Sequence, residues 1–197
     1  MAILAAVVDY AVPPGRYERQ RVRSGLIHPP LLVAAAALTA GCFVAFDPAR
    51  AAVAAFFCAA LALVTATDLE YRVIPNRIVY PAAAVVLAGM TAVEPSPEWA
   101  IAAFGAFAFF FLAALVHPAG MGMGDVKLAF LMGAALGRTV PVAIFVGLLA
   151  AVVPSLAILL RHGAAGRKMG FPLGPFLALG SAVALFAGDD LAAAYLD

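Results

Sequence analysis

Charged residues are scarce in this chain of 197 residues, of which Asp, Glu, Lys and Arg make up only 12%. Soluble domains carry about 25% charged residues, so this composition excludes an ordinary water-soluble globular domain. The formal net charge is only +1, which by itself does not indicate the concentrated basic face that nucleic-acid binding needs. We predict no nucleic-acid partner, and the distribution of the charges is more informative than their sum.

Cysteine is nearly absent as well. The chain contains two, Cys42 and Cys58, and both lie inside apolar runs. They form no CxxC pair and have no neighbouring histidine cluster, which are the patterns that indicate zinc sites or redox couples. Their surroundings are typical of small buried hydrophobic residues. We accordingly predict no metal and no cofactor.

Apolar sequence is what the chain has in abundance, with 65% hydrophobic residues and a mean hydropathy of +1.04. A helix needs about 20 residues to cross the hydrocarbon of a bilayer, and apolar runs of that order follow one another from residue 29 onwards. The sequence therefore predicts an all-α fold, a polytopic membrane helix bundle with about seven transmembrane segments. The predicted segments are 29–46, 50–67, 77–93, 99–116, 126–137, 139–160 and 171–188.

The fifth segment is unusual because "VKLAFLMGAALG" has only 12 residues. A helix of that length reaches about 18 Å. Either the bilayer is thinner there, or the helix starts below the surface inside a protein-lined cavity. For the whole chain we predict an N-terminal cytoplasmic leader segment at 1–28 and a single integral-membrane domain at 29–197.

The distribution of charge predicts how the segments cross the membrane. If all seven cross, ten of the twelve basic residues fall on one face, and the positive-inside rule makes that face cytoplasmic. The N-terminus is then inside and the C-terminus outside. Those ten residues are Arg16, Arg19, Arg21, Arg23, Arg72, Arg77, Lys127, Arg161, Arg167 and Lys168.

Two aspartates fall on this same face at membrane depth. Asp68 ends the second predicted segment and Asp125 opens the fifth, and an even number of crossings separates them. Ionisable residues at such depth tend to be functional when they face a protein cavity. Either aspartate taken alone also fits a helix cap or an interfacial charge, so the pair and its surroundings carry the interpretation.

A pair of adjacent carboxyl groups can hydrolyse a peptide bond. Because like charges a few ångströms apart cannot both ionise, the pair shares one proton. The ionised group takes a proton from water, while the protonated group donates to the scissile carbonyl. Asp68 and Asp125 are therefore candidate catalytic residues, and this chemistry uses no serine or cysteine nucleophile.

Two glycines precede the second aspartate, at Gly122 and Gly124. An extended substrate must come close to a catalytic carboxyl group, and side chains at these positions would block it. They would also oppose a positive φ in the loop. A flexible connection between two segments explains the glycines equally well.

The residues after Asp68 predict a break and a new helix. Pro75 restricts the backbone before it and stops the second segment from continuing as one rigid helix, while Asn76 is a favourable N-cap for the third. Lys127 has two interpretations. It contributes to the electrostatics of the aspartate pair, or it meets a lipid phosphate at the membrane surface.

Three stretches resemble the type IV prepilin peptidases. "DLEYRVIPN" (68–76) looks like the first signature of that family, and "GMGDVKL" (122–128) looks like its second, the GxGD motif shared with other intramembrane aspartyl proteases. "FPLGPFLALG" (171–180) is similar to a proline- and glycine-containing segment near the C-terminus of the same peptidases. A lone GxGD would be a weak signal, whereas the three matches in order are a strong one.

The resemblance implies an intramembrane aspartyl endopeptidase that removes the leader of prepilin or pseudopilin precursors at the cytoplasmic face of a bacterial inner membrane. Asp68 and Asp125 would be its catalytic pair. Gly122, Gly124, Lys127, Pro75 and Asn76 would support the motifs or the substrate. The larger members also methylate the new N-terminus and carry two CxxC pairs, which this sequence does not contain. It looks like the short form, and we do not predict methyl transfer.

Two other functions stay open at this point. A small transporter could use the two aspartates as a proton or ion relay, although that role favours carboxyl groups near the middle of a span. A noncatalytic membrane scaffold is the third candidate. The sequence does not indicate an oligomeric state.

Overall fold

The structure is a computed structural model that describes residues 29–117, 121–162 and 172–196, and every regular element within them is helical. Seven helices match the seven predicted segments in order, which confirms the all-α fold. The predicted leader segment at 1–28 lies outside the described residues. The helices are α1 (Pro29–Ala45), α2 (Pro48–Tyr71), α3 (Asn76–Val93), α4 (Glu98–Val116), α5 (Met123–Leu136), α6 (Val140–His162) and α7 (Gly174–Leu196), with a 3₁₀ turn, Gly137–Thr139, between α5 and α6.

The helical surface is suited to a bilayer. Five stretches are long and apolar enough to cross one, and the fourth of them, Met123–Arg161, combines α5 and α6. Large apolar side chains remain exposed on the outside of the bundle, for example Val44 at 90% and Val116 at 84%. Such a surface is unfavourable in water and fits lipid. The chain is therefore a multi-pass membrane protein.

Helix α5 occupies the centre of the bundle. It packs most extensively against α4 and also contacts α2, α3, α6 and α7. Its residues from Leu131 to Leu136 are all buried. At Gly133 a Cβ would overlap the backbone of Ala102 and Ala103, so the absence of a side chain there lets α4 and α5 lie in close contact.

The chain reverses direction after α5 at Gly137, whose φ is +55°, a conformation that glycine adopts at no steric cost. The next backbone N–H, that of Arg138, donates to Glu98 Oε1 at 2.7 Å. The Arg138 guanidinium pairs with Asp189 at 3.0 Å. These contacts join the start of α4, the turn and the last part of α7, and we refer to this side of the bundle as the Arg138 end.

The central helix is shorter than its neighbours. It has 14 residues, whereas α4 has 19 and α6 has 23. Because α4 and α5 are joined at the Arg138 end, the five-residue difference places the start of α5 about 7 Å inside the far end of α4. This arrangement favours the second of the two sequence-based alternatives, a helix that starts within the protein.

Glycines also bring α6 and α7 together. A Cβ at Gly180 would overlap the carbonyl oxygen of Ala143 and lie 2.7 Å from the backbone nitrogen of Gly147. Small residues permit such close approach of helix backbones in membranes. Because Gly180 faces Ala143 and Gly188 faces Thr139, α7 runs antiparallel to α6.

Helices α1 and α2 meet at the two cysteines. Cys42 and Cys58 are 0% and 3% exposed, and their Sγ atoms are 3.9 Å apart. Their predicted role as small buried residues is confirmed. Their contact with each other was not evident from the sequence, because it depends on how two separate helices pack.

Candidate active site

Asp68 lies in the last turn of α2, at the opposite end of the bundle from Arg138. The helix ends because Arg72 adopts a left-handed conformation (φ 52°, ψ 41°) and its N–H donates to the carbonyl oxygen of Asp68 at 2.9 Å. Val73 and Ile74 lead from Arg72 to Pro75, and α3 starts at Asn76. The predicted break between the second and third segments is confirmed. The Asp68 side chain is only 5% exposed.

The Asp68 carboxyl group is held by the first residue of another helix. The backbone N–H of Gly174, where α7 begins, donates to Asp68 Oδ2 at 2.9 Å. A Cβ at Gly174 would lie 2.7 Å from that oxygen and 3.2 Å from the carboxyl carbon. Only glycine leaves room for this contact. Gly174 had no predicted role, although it falls in the third stretch that resembles the prepilin peptidases.

Asp125 lies in the first turn of α5, where its own N–H donates to the carbonyl oxygen of Gly122 at 3.1 Å. Its side chain is half-buried. Its helix contacts α2, and Gly124, the residue before Asp125, packs against Ile74 in the loop that follows Asp68. The structure thus brings together the two aspartates that the sequence singled out, and we refer to this side of the bundle as the Asp68 end.

The two glycines before Asp125 do not adopt the positive φ that was considered for this loop. Gly122, the N-cap of α5, is extended at φ −78° and ψ 144°. A Cβ at Gly122 would lie 3.3 Å from Asp125 Oδ2, and one at Gly124 would lie 2.8 Å from Cβ of Ile74. Gly124 therefore allows the α2–α3 loop to pack on the start of α5.

Asn76 is not the N-cap of α3, so that prediction is wrong. Pro75 occupies the N-cap position, and no side chain caps the helix there. The Asn76 side chain instead accepts a hydrogen bond from Lys127 Nζ at 2.8 Å. Lys127 Nζ also lies 5.3 Å from the centroid of the Tyr80 ring. These contacts place Lys127 between α3 and α5, beside the loop that carries Pro75.

The described residues contain no group of three or more His, Cys, Asp or Glu side chains that could hold a metal ion. At the Asp68 end, two helices each carry a carboxyl group. The more buried one, that of Asp68, accepts a hydrogen bond from the backbone N–H of Gly174.

The middle part of the chain matches the sequence profile of a known family. The sequence profile of the type IV leader peptidase family matches residues 55–158, which is more than half of the chain. The protein belongs to the type IV leader peptidase family. Both aspartates lie inside the matched region, and the family resemblance found from the sequence is confirmed.

Similar proteins support the same family. A protein named "Prepilin leader peptidase/N-methyltransferase" from Burkholderia pseudomallei (strain K96243) is 32% identical over 194 residues, covering 92% of this chain and 62% of the relative. A protein of the same name from Bacillus subtilis (strain 168) is 32% identical over 150 residues, covering 73% of this chain and 58% of the relative. The chain thus spans about three fifths of the length of these relatives. No solved structure matches the chain.

Proposed function

We propose that this type IV leader peptidase family member is an aspartic endopeptidase that removes the leader peptide of prepilin-like precursors. The observation that carries the proposal is the convergence of Asp68 and Asp125 at one end of the bundle, on two helices from different parts of the chain that contact each other. The names of the relatives indicate the substrate class. The two carboxyl groups supply a mechanism.

In the proposed mechanism, a water molecule binds between the two aspartates. The ionised carboxyl group takes a proton from the water, which attacks the carbonyl carbon of the scissile peptide bond. The protonated carboxyl group donates to the carbonyl oxygen. Collapse of the tetrahedral intermediate breaks the C–N bond, and the leaving amine takes up a proton. No acyl-enzyme forms, because water is the nucleophile.

Gly174 keeps one Asp68 oxygen in place during this sequence. Its N–H donates to Oδ2, and in this proposal the carboxyl group contacts water through its remaining acceptor sites. A carboxyl group that is fixed by a backbone donor loses little freedom when substrate binds, which is how positioned groups lower a barrier. Gly174 is thus a positioning residue for Asp68.

The proposed location is a bacterial inner membrane with the Asp68 end on the cytoplasmic side. The positive-inside rule supports it, since Arg72, Arg77 and Lys127 gather at the Asp68 end while Glu98, Asp189 and Asp190 gather at the Arg138 end. A precursor anchored by an apolar helix would then present its basic leader on the cytoplasmic side. Substrate, partner lipids and location are parts of this proposal.

Separate Asp68→Asn and Asp125→Asn variants test the proposal in membranes that contain a prepilin substrate. We expect either change to lower the rate of leader removal by about 10²- to 10⁴-fold, because each variant lacks one half of the proton-sharing pair. Asp190→Asn is the matched control, since Asp190 is exposed at the far end of α7, and it should cleave at the normal rate.

The same variants distinguish the other functions. Normal cleavage by either Asn variant at normal membrane insertion would disprove the catalytic pair. Substrate-independent ion flux in proteoliposomes that disappears in both variants would instead indicate a relay. A scaffold would retain partner binding in both variants and cleave nothing in the wild-type form.

A further inference from the structure

Two grooves flank α4 on the lipid-facing surface of the bundle. One lies between α3 and α4, has α5 as its floor and a volume of about 500 Å³, and is called here the α3–α4 groove. The other lies between α4 and α6, has a volume of about 620 Å³, and is called here the α4–α6 groove. Both are largely apolar, and they differ in the charged groups at their ends.

The α3–α4 groove has an aromatic floor and a cationic end. The Phe130 ring packs edge-on against Phe104 at 5.2 Å and Phe107 at 6.4 Å between ring centroids. Along α3 the lining runs from Val79 to Leu87, which is about 12 Å of helix. This length and composition suit a fatty acyl chain that lies along the helices.

Lys127 stands at the Asp68 end of this groove and is its only charged lining residue. One N–H of the ammonium group is used by Asn76, and the group lies near the Tyr80 ring. Among the residues that the structure describes, Lys127 forms no ion pair. An ammonium group held in this way at a membrane surface has donors left for a phosphate.

The groove lies on the side of α5 away from the candidate active site. Met123, Lys127 and Phe130 are spaced by four and three residues and share one face of the helix. Asp125 is two residues from Met123 and from Lys127, about 200° around the helix. A substrate helix seated in the groove would thus have α5 between itself and the carboxyl groups. This geometry favours a lipid over the substrate.

The α4–α6 groove provides an internal comparison. Its charged lining residues are Glu98 and Arg138, and the Arg138 guanidinium is already paired with Asp189. Glu98, Arg138 and Asp189 together carry a net charge of −1, so the groove offers an anionic head group no net attraction. The α3–α4 groove carries an unbalanced positive charge at the end assigned to the cytoplasmic leaflet, where anionic lipids attract basic residues.

We propose that the α3–α4 groove binds one anionic phospholipid, with its phosphate on Lys127 and an acyl chain over the Phe104, Phe107 and Phe130 rings. The bound lipid would bridge α3, α4 and α5 where α3 and α4 barely touch each other. This proposal does not depend on peptidase activity, because it concerns a surface on the opposite side of α5 from the aspartates.

Native mass spectrometry of the full chain tests the proposal, with phosphatidylglycerol and phosphatidylethanolamine added in turn to the protein in detergent. We expect one phosphatidylglycerol to be retained about fivefold better than phosphatidylethanolamine, because the attraction between one lysine and an anionic head group raises the affinity by about that factor. Lys127→Gln should abolish the preference and Lys127→Arg should keep it.

Groove-filling variants separate this site from general lipid adhesion. Ala84→Leu adds a side chain at the rim of the α3–α4 groove and should lower retention of both lipids. Gly105→Leu is the matched control, because Gly105 lines the other groove and a Cβ there meets nothing within 4 Å. It should leave retention of phosphatidylglycerol unchanged.

Three results would overturn the proposal. The first is a wild-type protein without preference for phosphatidylglycerol, and the second is a Lys127→Gln variant that keeps the preference. The third is an Ala84→Leu variant that raises KM for a prepilin while it retains lipid normally, which would assign the groove to the substrate. The lipid count needs no cleavage, so failure of the proposed peptidase activity would leave this test readable.

Discussion

At the scale of single residues, the contact between Gly174 and Asp68 decides how one carboxyl group is presented. The two residues are 106 positions apart in the chain, and both are buried. The contact needs a backbone donor at the start of α7 and the absence of a side chain beside Asp68. A change at either partner should therefore affect chemistry before it affects the fold.

Gly174→Ala is the sharpest test of this contact. The new methyl group would lie 2.7 Å from Asp68 Oδ2, so the carboxyl group must move and the hydrogen bond must weaken. Because a hydrogen bond to a charged group contributes about 1.5–3 kcal/mol, we expect kcat for leader removal to fall about 10- to 100-fold.

Gly105→Ala is the control for that variant, since its methyl group meets nothing within 4 Å, and it should cleave normally. Melting temperatures of both variants, measured in the same detergent, show whether the loss is positional or structural. Full activity of Gly174→Ala would remove Gly174 from the mechanism. A melting temperature that falls in proportion to activity would assign it a purely structural role.

The residue scale also shows where sequence reasoning succeeds and where it fails. The paired aspartates could be found from the sequence, because their chemistry and their place at the ends of apolar runs are local signals. The N-cap role of Asn76 was wrong, because Lys127 comes from another helix and takes the amide oxygen. The packing role of Gly124 was missed for a similar reason, since Ile74 lies in a different loop.

At the scale of helices, glycines determine which pairs come into close contact. Gly133 and Gly180 each face the backbone of a neighbouring helix, α4 and α6 respectively. In lipid there is little hydrophobic gain from helix association, so packing of this kind supplies much of the stability. These glycines are therefore more sensitive to substitution than those on open surfaces.

Gly180→Val tests the α6–α7 contact. Its side chain would overlap the Ala143 carbonyl and force the two helices apart, and such overpacking typically costs about 1–3 kcal/mol. We expect the free energy of unfolding, measured by titration with SDS in mixed micelles, to fall by that amount. Gly105→Val should change it by much less, and equal losses in the two variants would argue against the close packing of α6 on α7.

The helix boundaries illustrate how far an apolar pattern can be interpreted. The seven segments were predicted in the correct order, and the separation of the fifth from the sixth near residue 138 is confirmed by the reversal at Gly137. The ends were less accurate. Helix α2 continues to Tyr71 and α5 starts at Met123, which places Asp68 and Asp125 within helices. An apolar run predicts the part of a helix that lies in lipid, and polar end residues can continue the same helix beyond it.

At the scale of the whole molecule, two groups of charged residues lie at opposite ends of the helix bundle. Glu98, Arg138 and Asp189 are joined at one end, and Asp68 lies with Asp125 at the other. The sequence predicted this division from crossings and charge alone. The positive-inside rule predicts which of the two ends faces the cytoplasm. Chemical labelling can test this orientation.

Two single-cysteine positions report the orientation. His117, just after α4 at the Asp68 end, and Asp190, near the last turns of α7, are both exposed. In spheroplasts, we expect a membrane-impermeant maleimide to label Asp190→Cys and to label His117→Cys only after the membrane is opened. Cys42 and Cys58 are buried and serve as the unlabelled background. The reverse pattern would place the aspartates on the outer side.

The central helix has a further consequence for how the molecule tolerates change. Helix α5 is anchored by the Gly137 turn and its Glu98 contact at one end and carries Asp125 in its first turn at the other. The number of residues in α5 therefore determines where along the helix axis the Asp125 carboxyl group lies and in which direction around the axis it points. One inserted alanine would raise Asp125 by about 1.5 Å and rotate it by about 100°, turning it away from Asp68 without altering a single side chain at either terminus.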